Sequence, residues 1–238
     1  RVPRENLLDR YGSVDDKGVY SSPIESRGRR FFTILGTLVQ GRVSLVGAAV
    51  VASQLAMTIA LKYAMIRRQF PVPGTDREQV LLDYQEHQRR LLPRLATTYA
   101  MTFAQDELLT IFDDVFSGAR DTEEERQDLE TLAAALKPYA TWAALDIIQA
   151  GREACGGQGF LAENRLATLR SDLDVYVTFE GDNTVLLQLV AKRLLGDYAK
   201  QFKGADFGTM AGYLADQVGD AAFNRSGLRR LAQNVADF

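Results

Sequence analysis

The segment 175–185 contains the side chain best placed to do acid–base chemistry. A run of β-branched and aromatic residues leads to one carboxylate, Glu180, which is followed at once by Gly181 and then by the start of a helix. A carboxylate among apolar side chains can be desolvated and made more basic than in water, which suits proton abstraction. Gly181 permits close backbone approach, so an amide here can donate a hydrogen bond to a substrate carbonyl. The alternative is a strand-to-helix turn whose glutamate is merely solvated.

A glycine-rich stretch at 152–160 suits binding rather than catalysis. Its sequence, Arg-Glu-Ala-Cys-Gly-Gly-Gln-Gly-Phe, places three glycines within four positions at the predicted end of a helix. Such a pattern implies left-handed or close-contact backbone, either against a planar or phosphorylated ligand or as an ordinary helix stop.

Two arginines lie on one face of a predicted helix. Arg67 follows Arg42 by 25 positions, which in a helix is about seven turns and about 37 Å. A single small ligand cannot contact both, so they serve two ends of a long ligand, two different sites, or simply the surface. His87 lies in a polar stretch and is interpreted as a solvated helix residue.

Four long helices are predicted to carry these residues. Alanines at four-residue spacing from 48 to 64 form a small-residue face that allows a neighbouring helix to approach closely. Short connections between long helices favour an all-α fold, an up-and-down four-helix bundle. The predicted helices cover about 31–68, 81–116, 122–155 and 183–202. Their predicted apolar stripes include Leu91, Leu95, Tyr99, Phe103, Leu108, Leu129, Tyr139 and Ile147.

The predicted domains are three. Residues 1–30 are polar and turn-rich, and they are interpreted as a strand and linker from a preceding domain. Residues 31–203 form the bundle, and 204–238 begin a second helical region with two short helical patterns. The chain opens without methionine or a signal-peptide pattern, so it is expected to be a segment of a longer polypeptide.

Composition excludes several classes of function. With 238 residues, 46% hydrophobic and 25% charged, the chain is an ordinary globular protein rather than a disordered one. A net charge of -3 does not favour nucleic acid or an anionic membrane. The single histidine argues against a zinc site or a Ser-His-Asp triad, and Cys155 is expected to pack inside rather than react. Chemistry must therefore use carboxylates, arginines, backbone amides or a cofactor, and no metal site is predicted.

An uncharged run at 43–61 is long enough to cross a bilayer. It is rich in Ala, Gly, Ser, Gln and Thr, which gain little from lipid. A buried helix of a soluble protein is therefore expected, and no membrane span.

Three motifs together resemble the flavin-dependent acyl-CoA oxidase and acyl-CoA dehydrogenase superfamily. They are Arg-x-x-Phe after an alanine-rich helix, a Gly-Gly-x-Gly-Phe loop, and Phe-Glu-Gly-Asp-Asn-Thr-Val. The opening Arg-Val-Pro-Arg-Glu-Asn-Leu-Leu and the stretch 32–44 are similar to acyl-CoA oxidases specifically. Glu-Gly-Asp-Asn, where dehydrogenases have Glu-Gly-Thr-Ser, also favours the oxidase branch. The resemblance extends from residue 1 to about 200.

This resemblance implies roles for individual residues. Glu180 matches the base that removes the α-proton of an acyl thioester, while the β-hydrogen leaves as hydride to the flavin. The amide of Glu180, followed by Gly181, matches the donor to the thioester carbonyl, and Arg42 matches an arginine along the CoA. Residues matching FAD contacts are Arg67 and Phe70 across a dimer interface, Glu153, Gly156 and Gly157 on the cofactor loop, and Asp182 and Thr184 after the base. Many dehydrogenases have Gln where Glu153 stands.

The whole resemblance implies an FAD enzyme that converts acyl-CoA to trans-2-enoyl-CoA with oxygen as acceptor, in fatty acid β-oxidation. It also implies a homodimer with composite FAD sites, in the cytoplasm of a bacterium or the peroxisome of a eukaryote. The chain alone is expected to be inactive, because the family's N-terminal helical domain and middle β-domain complete the pockets. Two alternatives stay open: a dehydrogenase with a protein electron acceptor, and a non-catalytic helical interaction module, against which the presence of Glu180, Arg42 and Arg67 argues.

Overall fold

The computed structural model describes residues 3–120 and 122–202, and helices dominate this part of the chain. Four long helices occur where they were predicted, which confirms the all-α fold. The α-helices are α1 (Arg27–Leu35), α2 (Val39–Ile66), α3 (Gln85–Ser117), α4 (Glu123–Ala154), α5 (Leu166–Asp174) and α6 (Asn183–Phe202). Two small antiparallel hairpins accompany them, β1 (Ser13–Val14) with β2 (Tyr20–Ser21) and β3 (Arg68–Pro71) with β4 (Glu78–Val80).

Helix α2 is the central element of the core, because its small side chains let α4 come close. Ala52, Ala56, Ala60 and Ala64 are all buried, and a Cβ added to Gly151 of α4 would lie 3.5 Å from the Cβ of Ala60. The predicted small-residue face is therefore confirmed. Helix α2 is long and apolar enough to cross a membrane, and an 18-residue window within it has a mean hydropathy of 1.9, but half of that window is buried within the fold.

Local signals set the ends of α3 and α4. Gly118 ends α3 in the left-handed conformation, with φ 84°. Thr122 begins α4 with a capping box, since its hydroxyl accepts from the amide of Glu125 and the Glu125 carboxylate accepts from the amide of Thr122. The predicted apolar stripes were partly wrong, because Tyr99 and Phe103 face outward on α3. Tyr139 of α4 is exposed as well.

Three local predictions differ from the structure. The segment at 175–180 is a 3₁₀ helix, Val175–Val177, followed by a turn, and not a strand. Its β-branched residues find no neighbouring strand within the described chain, and Tyr176 packs against the helical core instead. Helix α5 and the β3–β4 hairpin were missed, and the first predicted helix is divided by a 3₁₀ turn, Gly36–Leu38.

The chain divides into two compact units, Arg1–Val190 and Ala191–Phe238. The first contains the core described above. Of the second, the structure describes the end of α6, where Asp197 accepts hydrogen bonds from Arg193 and Lys200. The short helical patterns predicted at 204–238 lie outside the described residues, so the predicted domain boundaries stay predictions.

Candidate active site

Glu180 lies in a strained turn between the 3₁₀ helix and α6. Its φ is 56°, and Gly181 follows with φ 111°. Left-handed backbone is uncommon for residues other than glycine and persists only where surrounding contacts hold it. Within the described residues the amide of Glu180 donates no hydrogen bond, so it is available to a ligand.

The carboxyl group of Glu180 lies directly against the backbone of α2 at Gly41. A Cβ added to Gly41 would be 2.7 Å from each carboxylate oxygen, and so only glycine leaves room for this arrangement. Oε2 of Glu180 is buried and has no hydrogen-bond partner among the described residues. The site therefore presents an enclosed carboxylate oxygen beside a free amide, which is what abstraction of a proton next to a carbonyl requires.

Arg42 lies beneath this turn and not on the surface. Its side chain is buried, and its Nε donates to the backbone oxygen of Glu180 at 3.2 Å. Its Nη1 is 3.8 Å from the carboxylate of Glu130. Burial lowers the pKa of Arg42, against the opposing effect of Glu130 and Glu180. The arginine thus helps to hold the turn, while contact with CoA stays a prediction.

Lys137 of α4 is the site residue that the sequence reasoning missed. It is fully buried, and its Nζ donates to the backbone oxygen of Gly181 at 2.7 Å and to Oδ1 of Asn183 at 2.9 Å. Asn183 in turn donates to Thr141 at 3.0 Å. Burial lowers the pKa of Lys137 to about 8, helped by Arg42 and opposed by Asp182 and Glu180. The sequence did contain a signal, because Lys137 has the same helical spacing as the buried alanines of α4 and so lies on the face of the helix that meets the core.

Asp182 caps α6. Its carboxylate accepts from the amides of Thr184, at 2.9 Å, and Val185, at 3.3 Å, in the manner of an N-cap. The turn and the helix that follows it are thereby joined, so Asp182 and Thr184 lie close to Glu180.

A second cluster forms where the β3–β4 hairpin meets α3. Phe70 has φ 62° at a bulge in β3, and it lines a cavity of about 300 Å³ with Tyr84, His87 and Arg90. Nη1 of Arg90 is 3.9 Å from the Glu153 carboxylate. The structure thus brings together Phe70 and Glu153, which are far apart in sequence, through Arg90.

His87 is not the solvated residue that its polar neighbours suggested. Its Nε2 is buried without a hydrogen-bond partner among the described residues, and burial, together with Arg90, lowers its pKa. His87 is also among the residues that line the cavity.

The glycine loop is a short 3₁₀ helix, Gly156–Phe160. Gly156 is left-handed, with φ 57°, while Gly157 has open space around its Cα. Gly159 makes the close contact, because a Cβ there would overlap the backbone oxygen of Arg152. Arg152 also covers the ring of Phe160 at 4.7 Å.

Arg67 lies at the C-terminal end of α2, exposed beside the second cluster. Since α2 is one continuous helix, the turn held by Arg42 and the cluster near Arg67 lie at its opposite ends, about 37 Å apart.

Comparison with known proteins assigns the family. Residues 35–195 match the acyl-CoA oxidase C-alpha1 domain. The chain belongs to the acyl-CoA oxidase family. It is 42% identical to the peroxisomal acyl-coenzyme A oxidase 2 of Arabidopsis thaliana over 220 residues, which are 92% of this chain and 31% of that protein.

Solved acyl-CoA oxidases have the same fold. The crystal structure of acyl-CoA oxidase 3 from Yarrowia lipolytica superposes with a TM-score of 0.72 at 36% identity, covering 91% of this chain and 32% of the other. Acyl-CoA oxidase 2 of Caenorhabditis elegans, solved with FAD, ascaroside-CoA and ATP, gives a TM-score of 0.69 at 28% identity, covering 91% and 32%. The chain thus spans about a third of the length of these relatives.

Proposed function

We propose that the chain forms the helical part of a flavin-dependent acyl-CoA oxidase that converts acyl-CoA to trans-2-enoyl-CoA with oxygen as the electron acceptor. The observation that carries the proposal is the Glu180 turn. It combines an enclosed carboxylate oxygen without a partner in the described chain with an adjacent free amide. Because the chain belongs to the acyl-CoA oxidase family, we propose that this geometry serves the oxidation of an acyl-CoA.

In the proposed reaction Oε2 of Glu180 accepts the α-proton of the acyl thioester. The amide of Glu180 donates to the thioester carbonyl, whose oxygen becomes more negative as the proton leaves. Arg42 and Lys137 hold the backbone carbonyl groups of Glu180 and Gly181, and Arg42 is also proposed to contact the CoA.

The residues of the second cluster fit FAD, as does the turn. Aromatic side chains, the cation of Arg90 and the side chain of His87 line one cavity, and these groups suit a ligand that is both aromatic and phosphorylated. When bound, FAD supplies an acceptor for the β-hydrogen as hydride. The residues proposed to hold it are Arg67, Phe70, Glu153, Gly156, Gly157, Asp182 and Thr184.

Replacement of the base tests the reaction. Glu180→Gln in the full-length flavoprotein should bind acyl-CoA but reduce its flavin at least about 1000-fold more slowly in anaerobic stopped-flow, because general-base catalysis contributes up to about 10⁴-fold. Glu163→Gln, at an exposed glutamate, is the matched control. Normal flavin reduction in Glu180→Gln would reject the proposal and favour a non-catalytic module. Peroxide release measured against an artificial electron acceptor separates an oxidase from a dehydrogenase.

The separation along α2 supports a homodimer with composite FAD sites. Because the two clusters of one chain lie about 37 Å apart, a cofactor beside Glu180 is proposed to reach Arg67 of a second copy. Arg67→Ala should release FAD while the far-ultraviolet circular dichroism stays unchanged. The control is Arg68→Ala, since Arg68 donates to the backbone oxygen of Glu78 within its own hairpin. A monomer that retains stoichiometric FAD in light scattering would contradict this proposal.

For a eukaryotic source we propose a peroxisomal location, which the name of the Arabidopsis relative supports. Cell fractionation with a peroxisomal marker tests it.

A further inference from the structure

Lys137 is a fully buried cation in contact with the Glu180 turn. Burial of an ammonium group is costly unless hydrogen bonds compensate it. Here two bonds go to the segment after the base, one to the backbone oxygen of Gly181 and one to the side chain of Asn183. The lysine is therefore tied to the turn itself.

The bonds of Lys137 belong to a closed ring. Asn183 donates to Oγ1 of Thr141 at 3.0 Å, and Thr141 donates to the backbone oxygen of Lys137 at 2.9 Å. All three side chains are buried. A satisfied buried network of this kind has one favoured geometry, because any member that moves leaves a polar group unpaired.

Two buried cations from different helices hold consecutive carbonyl groups of the turn. Arg42 from α2 binds the backbone oxygen of Glu180 at 3.2 Å, and Lys137 from α4 binds that of Gly181 at 2.7 Å. The left-handed conformation of both turn residues is unfavourable by itself for Glu180. These two contacts therefore supply what the local sequence does not.

We propose that Lys137 is a positioning residue, which acts with Arg42 to keep the carboxyl group of Glu180 in its place over Gly41. This inference rests on the proposed role of Glu180 as the base. It concerns how the base is held and not the chemistry that it performs.

The charge of Lys137 adds a pH dependence. The charged groups that face it are Arg42 from α2 and Glu180 and Asp182 from the turn, while Glu130 faces Arg42. Since the pKa of Lys137 is lowered to about 8, its ammonium form declines as the pH rises through this value. Charge-assisted hydrogen bonds are roughly twice as strong as neutral ones, so the turn is held less firmly at alkaline pH.

The test uses Lys137→Met in the full-length flavoprotein, which removes the amine but keeps the length of the side chain. The control is Lys62→Met, the same change at an exposed lysine of α2. We expect flavin reduction to slow by about 10- to 100-fold, since a 1 Å misplacement costs about 100-fold. Affinity for a thioether analogue of acyl-CoA, which cannot be desaturated, should change less than about threefold. Amide hydrogen exchange at 178–184 should become at least about tenfold faster, a readout independent of activity.

The outcomes separate this inference from the proposed function. If Glu180→Gln loses flavin reduction while Lys137→Met stays within twofold of the parent, the positioning role is wrong and the base stands. If Glu180→Gln reduces flavin normally, the proposed function fails, while hydrogen exchange in Lys137→Met still tests whether the lysine holds the turn.

A second variant covers the case in which Lys137→Met does not fold. Asn183→Asp keeps the acceptor oxygen and adds a negative charge beside the ammonium group. The alkaline decline of flavin reduction should then move up by about one pH unit, since a neighbouring opposite charge favours the protonated form. An unchanged profile in this variant overturns the inference.

Discussion

Gly41→Ala tests the position of the Glu180 carboxyl group directly. The new Cβ would lie 2.7 Å from each carboxylate oxygen and closer still to the carboxyl carbon, whereas ordinary contact begins at about 3.4 Å, so the carboxyl group must move by about 1 Å. Because a 1 Å misplacement at a reacting centre costs about 100-fold, flavin reduction in the full-length enzyme should slow by between about 10- and 100-fold.

The stability of Gly41→Ala should not fall together with its activity. Only the flexible end of the Glu180 side chain has to move, and alanine is favoured over glycine inside a helix by up to about 1 kcal/mol. The thermal midpoint of Gly41→Ala should therefore stay equal or rise while its activity falls. A variant that was both slow and unstable would indicate general damage instead.

Gly47→Ala is the matched control for this experiment. It lies on the same helix, and its new Cβ would meet only the side chain of Gln105, at 3.1 Å. It should gain similar stability and keep its activity. Normal flavin reduction in Gly41→Ala, measured by anaerobic stopped-flow beside this control, would refute the position of the base over Gly41.

Three further predictions concern the chain itself. Thr122→Ala removes the capping box of α4 and should lower the free energy of unfolding by about 1 kcal/mol. Its thermal midpoint should therefore be lower than that of the control Thr168→Ala, and equal midpoints would contradict this prediction. Between pH 8 and about 10.5, the unfolding free energy of the parent should rise by up to about 3 kcal/mol relative to that of Lys137→Met, because the folded lysine has released a proton that the unfolded lysine still holds. Urea titrations of both proteins at the two pH values measure this difference in unfolding free energy. If the difference stays constant with pH, the pKa of Lys137 is not lowered. Burial raises the pKa of Cys155 to about 11 from 9.0. Iodoacetamide at pH 8 should therefore label the thiol of the native chain about 100-fold more slowly than that of the unfolded chain. Comparable labelling rates would show that the thiol is accessible in the native chain.

Local sequence determined most of the secondary structure. The alanine face of α2 predicted close helix packing, and the structure shows it at Ala60 and Gly151. The capping pattern after Thr122 and the glycine at 118 set helix ends through bonds within a few residues. Such features depend only on near neighbours along the chain, so they can be predicted without the fold.

Motifs in the sequence also identified the family and predicted Glu180 as the base, but they did not predict the conformation around Glu180. Residues 175–177 have the composition of a strand. They form a 3₁₀ helix, because the fold places them against helices and the described residues offer them no strand with which to pair. Composition is a weak guide when the partner of a segment comes from elsewhere in the fold.

Only the tertiary structure decided how Glu180 is held. Arg42 is 138 residues from Glu180 in sequence and Lys137 is 44 from Gly181, yet the packing of α2 against α4 brings both cations to one turn. The position of α2 puts Gly41 under the carboxyl group, while the packing of α3 against α4 draws Glu153 to Arg90 beside Phe70. Hydrogen bonds and van der Waals contacts act over a few ångströms, so residues far apart in the chain meet only where helix packing has fixed the distance between them.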